Sequence, residues 1–274
     1  MMFKSLFHRS NPLTRHPTRR PFKEFYSEWF KTLKHTLLPL LRRSLSSDSC
    51  SATTLLSKHV EMIHQHFQLY YDALDNAASN DVAQLLFPEW RGSCEKPFLW
   101  LGDVHPYLFA KLIRQFLDDP DDEIDDNCNV VHFGDISSIL NENWHVVNAW
   151  NSPSKVLITR IDEIERGLRL IVPALVVRAR EAQGALVAKI GEEWGKNEGE
   201  KGLVVKAVEV NMEEMVSVFV DANRIRRSVL SEIISVTSVY QAAFFLEGLA
   251  QFLVGFGDKK LVSEFKRCKF PVDS

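Results

Sequence analysis

The strongest chemical signal in the chain stands at Gly102-Asp103-Val104-His105, with a second Gly-Asp pair downstream at Gly134-Asp135. A carboxylate and an imidazole one residue apart, beside a glycine, could hold one ion of a two-metal hydrolytic centre, because the two side chains supply hard and borderline donors together. A second donor group occurs at His59, His64 and His66, where the seven-residue spacing of the outer pair puts both rings on one face of a helix. That geometry suits a metal or haem ligand pair, but no fixed carboxylate or cysteine accompanies it, so ordinary core or surface histidines are expected.

The first constellation resembles the Gly-Asp-x-His-Gly signature of metallophosphoesterases and then departs from it. That chemistry needs further imidazoles late in the chain, and every histidine here lies at or before His145. Pro106 also replaces the glycine that lets backbone approach the metal. Other catalytic signatures fail as well. Gly195-Lys196 is followed by Asn197, which breaks a P-loop, and neither a G-x-S-x-G elbow nor a strand-glycine-helix dinucleotide unit occurs. The acidic segment 118–129 lacks the central glycine and closing glutamate of a calcium loop. Cys50, Cys94, Cys128 and Cys268 form no CxxC pair, so neither a zinc knuckle nor a disulfide framework is indicated. No catalytic residue, metal site or cofactor is expected.

Helices must position these residues. In 22–37, Phe22, Phe25, Tyr26, Trp29, Phe30, Leu33 and Leu37 recur at three- and four-residue spacings, and Pro39 should bend or end that helix. Segment 44–54 reads as a Ser-rich linker in which Ser44 and Ser46, beside Arg43, could accept a phosphate. A second helix is expected over 54–78, and a short one from Asp81 as cap to Pro88. The stretch 96–117 is the packing centre: Phe98, Leu99, Trp100 and Leu101 enter the core, Gly102 makes a turn, and Pro106 opens the next helix. Asp103 and His105 then serve as turn and cap residues. Residues 130–154 show no sustained period. A long helix from 155 carries Pro173, which should kink it, and a last large element runs over 203–255 with an apolar centre at 242–254. No fixed-period repeat and no alternating strand pattern is present. The fold class is therefore all-α: a single multi-helix bundle with long C-terminal helices, over 22–258, preceded by a disordered basic tail (1–21) and followed by an extension (259–274).

Composition narrows the function classes. The 274 residues are 45% hydrophobic, enough for a substantial core, and the net charge of -3 lacks the excess of Lys and Arg that phosphate contacts of a DNA binder require. Charge is nevertheless segregated, with a tail holding Arg15, Arg19 and Arg20 and an acidic loop holding Asp121 and Asp122. Both are candidate contacts, the tail for an anionic membrane surface and the loop for a partner. No apolar signal segment and no span of about 18 apolar residues is evident, so neither secretion nor a membrane-crossing helix is expected.

Four segments in order resemble the Delay of Germination domain family of plants. They are 22–41 with Phe25-Tyr26-x-x-Trp29, 66–88 with Tyr70-Tyr71 before Pro88-Glu89-Trp90, Phe98-Leu99-Trp100-Leu101-Gly102 with Pro106, and 221–243 with Ala222-Asn223 and Gln241-Ala242-Ala243. The family's Gly-Gly signature reads Gly102-Asp103 here. The segments 37–43, 86–91, 101–108 and 245–249 look closest to the subgroup that acts in pollen aperture formation. The resemblance implies a non-enzymatic scaffold, cytoplasmic and peripheral at discrete plasma-membrane domains of the microspore, that keeps membrane close to the callose wall and prevents exine deposition. Implied partners are other aperture factors, self-association and anionic plasma-membrane lipids, without DNA. Haem binding through C-terminal histidines does not carry over, since this chain has none. The alternative is a regulatory or ligand-binding module of the same family in nucleus or cytosol, and a metallophosphoesterase is a more distant one.

Overall fold

A computed structural model describes residues 21–47, 52–117, 149–151, 153–193, 201–257 and 263. The expected basic tail with Arg15, Arg19 and Arg20, the acidic loop with Asp121 and Asp122, Gly134-Asp135 and nearly all of the C-terminal extension lie outside them. The architecture is all-α, with one very small two-stranded sheet.

Helix α1 (Phe22–Thr32) buries Tyr26 and Trp29. It runs through a π turn, Leu33–Leu37, into α2 (Leu38–Leu45), so of the two outcomes expected at Pro39, a bend or an end, the helix does not end there. Pro39 has no N–H for an i−4 bond, and its ring would crowd the carbonyl of residue 35. The wide turn, in which the Leu38 N–H bonds to the Leu33 carbonyl, accommodates both defects.

Helix α3 (Ala52–Leu86) starts near the expected boundary. Asp81 leaves helical geometry at φ -160°, and its carboxylate accepts from the Gln84 N–H at 3.1 Å, the N-cap expected there. Its Leu55 is exposed, while Leu56, Val60 and Ile63 are buried.

Helix α4 (Tyr107–Leu117) follows the hairpin described below. Helices α5 (Lys155–Glu193) and α6 (Lys201–Val236) form a long antiparallel pair: Arg160 meets Glu232, Arg178 meets Glu214 and Asp221, and the Asn211 amide donates to the Ala182 carbonyl. Helix α5 stays helical on both sides of Pro173.

The single final element expected over 203–255 is two helices. Helical continuity breaks at Ser238, which caps α7 (Val239–Gly255): its hydroxyl accepts from the Gln241 N–H, and the Gln241 side chain accepts from the Ser238 N–H. As its composition suggests, α7 is central, with every residue from Gln241 to Ala250 buried. Its one buried acid, Glu247, is matched by Arg42 at 2.8 Å. Among the described residues no helix is long and apolar enough to cross a membrane.

Candidate functional site: an arginine-clamped hairpin

Residues 99–104 form the hairpin at the centre of the signature stretch. Strands β1 (Leu99–Trp100) and β2 (Asp103–Val104) pair antiparallel with Trp100 opposite Asp103, leaving Leu101 and Gly102 as a two-residue loop. Both loop residues have positive φ, +45° and +82°, the requirement of a type I′ turn. Glycine is needed at 102 for space as well: a Cβ there would lie 2.3 Å from the Leu85 carbonyl oxygen and 2.8 Å from the Phe219 ring.

The turn role of Gly102 is as expected, whereas the core role of its neighbours holds only in part, with Trp100 and Leu101 packed against the core. Phe98 is exposed, and Leu99, Trp100 and Leu101 are only half-buried, whereas Gly102, Asp103, Val104 and Pro106 are buried. In a two-stranded ribbon successive side chains point to opposite faces. A continuous apolar run therefore cannot bury all of its members. Phe98 instead packs its ring edge-on against Phe252 at 5.5 Å, keeping one side open.

The buried groups under the hairpin are charged. Arg226 of α6, fully buried, donates Nε–H to the Val104 carbonyl at 2.8 Å, Nη1–H to Asn223 Oδ1 at 2.7 Å, and Nη2–H toward the carbonyls of Trp100, Leu101 and Asp103. Its guanidinium also lies over the Trp100 ring, 5.4 Å from the centroid. One planar fork thus holds both strands and the turn, which a point charge could not do. Burial pulls its pKa below the usual arginine value, against an opposing pull from Asp103.

Arg91, from the loop after α3, makes the second clamp. It bonds Asp103 and the Tyr70 hydroxyl at 2.6 Å each, pairs with Glu95, and lies 4.7 Å from the Tyr26 ring centroid. Burial opposes its charge, but Tyr70, Asp103 and Glu95 more than offset this and hold its pKa above normal. Burial also raises Glu95, with Arg91 opposing. Two arginines and two carboxylates therefore balance inside the bundle, as buried charge requires. One oxygen, Asp103 Oδ2, finds no partner among the described residues. Asn223 carries the network onward, donating to Asp75, which also takes Arg227 at 2.6 Å, so hairpin, α6 and α3 are linked.

This geometry places the metal-like motif in structural work. Asp103, expected as a turn residue, is a buried ion-pair partner. His105 is the expected cap: its Nδ1 accepts from the Tyr107 N–H at 3.2 Å, and its ring stacks on Tyr107. Among the described residues no three His, Cys, Asp or Glu side chains converge to hold a metal. His59, His64 and His66 are each engaged separately. His59 bonds the buried Ser44 hydroxyl at 2.6 Å, His64 meets Ser231, and His66 bonds the Trp29 carbonyl while stacking on the Trp29 ring at 5.1 Å. The Trp29 indole N–H returns a bond to the His66 carbonyl. Ser44 is therefore closed to a kinase in the folded state, while Ser46 is exposed.

Beside the hairpin lies a groove of about 360 Å³ lined by Leu86, Phe87, Pro88, Lys96, Leu99 and Leu101 among others. Phe87 is 80% exposed at its edge. Arg91, Glu95 and Arg226 were not singled out as functional from sequence. A charged residue inside an apolar stretch is the available signal, but its partner cannot be read locally.

Residues 37–115, which hold α2, α3, the hairpin and most of α4, match the family model described as seed dormancy control. Over 269 residues the chain is 43% identical to Protein INAPERTURATE POLLEN1 of Arabidopsis thaliana, covering 93% of this chain and 96% of that one. It is 35% identical over 256 residues to the INAPERTURATE POLLEN 1 homolog of Oryza sativa subsp. japonica, covering 92% and 90%.

Proposed function

Because the chain belongs to the Inaperturate Pollen family within the seed dormancy control group, we propose that it is a non-enzymatic scaffold for pollen aperture formation. It acts from the cytoplasmic side at discrete plasma-membrane domains of the microspore, holding the membrane close to the callose wall so that exine is not deposited there. The observation that carries this reading is identity to a protein of that name along nearly the whole chain. The site supports it: Asp103 and His105 are consumed in an ion pair and a helix cap, and Arg91 and Arg226 are turned inward onto the hairpin. The exposed apolar edge at Phe87 offers a surface for another protein. Other aperture factors and anionic lipids are the contacts proposed, the lipids through Arg15, Arg19 and Arg20.

A fluorescent fusion expressed in microspores of a plant lacking its own copy tests this. Discrete foci at the plasma membrane with apertures restored are expected. Uniform nuclear signal with smooth, aperture-free pollen would overturn the proposal.

A further inference from the structure

Two serines follow the basic pair Arg42-Arg43, and the fold treats them oppositely. Ser44 is 2% exposed, and its hydroxyl is held between the Leu40 carbonyl at 3.2 Å and His59 at 2.6 Å. Ser46 stands at the end of α2: it is exposed, its backbone has left the helix at φ -87° and ψ 5°, and its hydroxyl donates to the Arg42 carbonyl at 3.1 Å. Residues three apart share a helix face, so the exposed Arg43 stands on the same side of the chain as Ser46. An arginine three residues before an exposed hydroxyl is a charge pattern that the acidic substrate groove of a basophilic kinase can read, because the guanidinium pairs with carboxylates.

We propose that Ser46 is a phosphorylation site for a basophilic serine/threonine kinase, and that its phosphate loosens α2 from α7 by drawing Arg42 away from Glu247. In the transfer the Ser46 hydroxyl oxygen attacks the γ-phosphorus of a nucleoside triphosphate and the bond from that phosphorus to the bridging oxygen breaks. The diphosphate leaves, and the hydroxyl proton passes to the kinase's carboxylate base. Ser44, behind the same basic pair, is excluded by its burial.

The consequence follows from what Arg42 holds. Its Nε–H donates to Glu247 Oε1 at 2.8 Å, and Glu247 is a buried acid in the central helix whose other partner is the Gln251 amide at 2.9 Å. Arg42 lies four residues before Ser46, one helical turn away, and its side chain is 39% exposed, so it can turn outward. A phosphate on Ser46 brings a charge of about -1.5 to -2 and three acceptor oxygens, more than the single carboxylate offers. It also stands at the negative end of the α2 dipole and removes the hydroxyl proton given to the Arg42 carbonyl, so it weakens the last turn directly. Glu247 then keeps an amide but no cation, and a buried carboxylate stripped of its cation disfavours the closed packing around it.

The full chain, incubated with adenosine triphosphate and a purified kinase that requires arginine three residues before its serine, tests this by mass spectrometry and amide hydrogen exchange. Phosphate should appear on Ser46 and not on Ser44, and the exposed substitution Arg43→Gln should slow labelling at least about tenfold. In the phosphorylated parent the amides over 41–45 should exchange at least about tenfold faster than before. Two variants separate loss of the ion pair from a general effect of the phosphate. In Glu247→Gln, whose neutral amide needs no cation, phosphorylation should accelerate exchange far less. In Arg42→Gln the unmodified chain should already exchange faster than the parent, and phosphate should add little, the non-additivity expected of groups acting through one contact. A circular dichroism melt checks that each variant is folded. Labelling confined to other residues, an Arg43→Gln chain labelled at the parent's rate, or a phosphorylated parent whose α2 exchanges as slowly as before would overturn the proposal. So would variants that loosen on phosphorylation as much as the parent does.

Discussion

Replacing Arg226 with Met removes the fork that holds the hairpin to α6 while retaining most of the side-chain length. Four backbone carbonyls and Asn223 Oδ1 lose their donor in a fully buried setting. Each charge-assisted bond is worth about 1.5–3 kcal/mol, but the sum overstates the loss, because Met does not carry the desolvation cost of a buried guanidinium. Removing one member of a buried charged network typically costs about 3–5 kcal/mol, and that is the expected destabilisation here. Against a total stability of about 5–15 kcal/mol, this lowers the melting temperature by roughly 6–20 °C. Urea unfolding followed by far-ultraviolet circular dichroism measures the loss, and the near-ultraviolet signal should change as Trp100 loses the cation above its ring. Arg226→Lys separates charge from geometry. Lysine keeps the charge but cannot bridge the Val104 and Trp100 carbonyls with one planar group, so at least half of the loss should remain. If either variant lies within about 1 kcal/mol of the parent, smaller than any single buried charged contact argued here, the clamp reasoning is wrong.

Gly102→Ala should cost about 2–5 kcal/mol, from a left-handed backbone that disfavours a Cβ and overpacking against the Leu85 carbonyl and the Phe219 ring; the urea midpoint measures it, and a neutral effect would mean the turn can move. Ser238→Ala removes the α7 cap and should cost about 1 kcal/mol, read from the same transition. Stability should also fall on mild acidification. Burial lowers the folded pKa of His59, His64, His66 and His105, so the unfolded chain binds protons first; their contribution is complete above the unfolded value of about 6.5 and is lost as pH falls through the folded values. Asp75 and Glu95, raised by burial, act with the opposite sign at lower pH. Comparing urea midpoints on either side of pH 6.5 isolates the histidines, and a midpoint that rises on acidification would contradict this assignment.

The helical class, the apolar faces of α1 and α3, the Asp81 cap and the central position of α7 follow from local pattern, because a helix records its buried face every three to four residues. The Ser238-Val239-Tyr240-Gln241 capping box was also present as a local signal, although apolar periodicity on both sides masked the break. Gly102 was legible as a turn for the same reason. Which charges meet under that turn was not. Arg226 and the Trp100 and Val104 carbonyls are more than a hundred residues apart, and Arg91 finds Asp103 only when the loop after α3 folds across β2. Asp103 could thus read as a ligand or a cap until its partner was in place, and Phe98 as core until the hairpin turned one of its faces outward. Periodicity is a property of neighbours along the chain, and it determined the elements; the pairing of buried charges depends on approach across the fold, and only tertiary structure decided it.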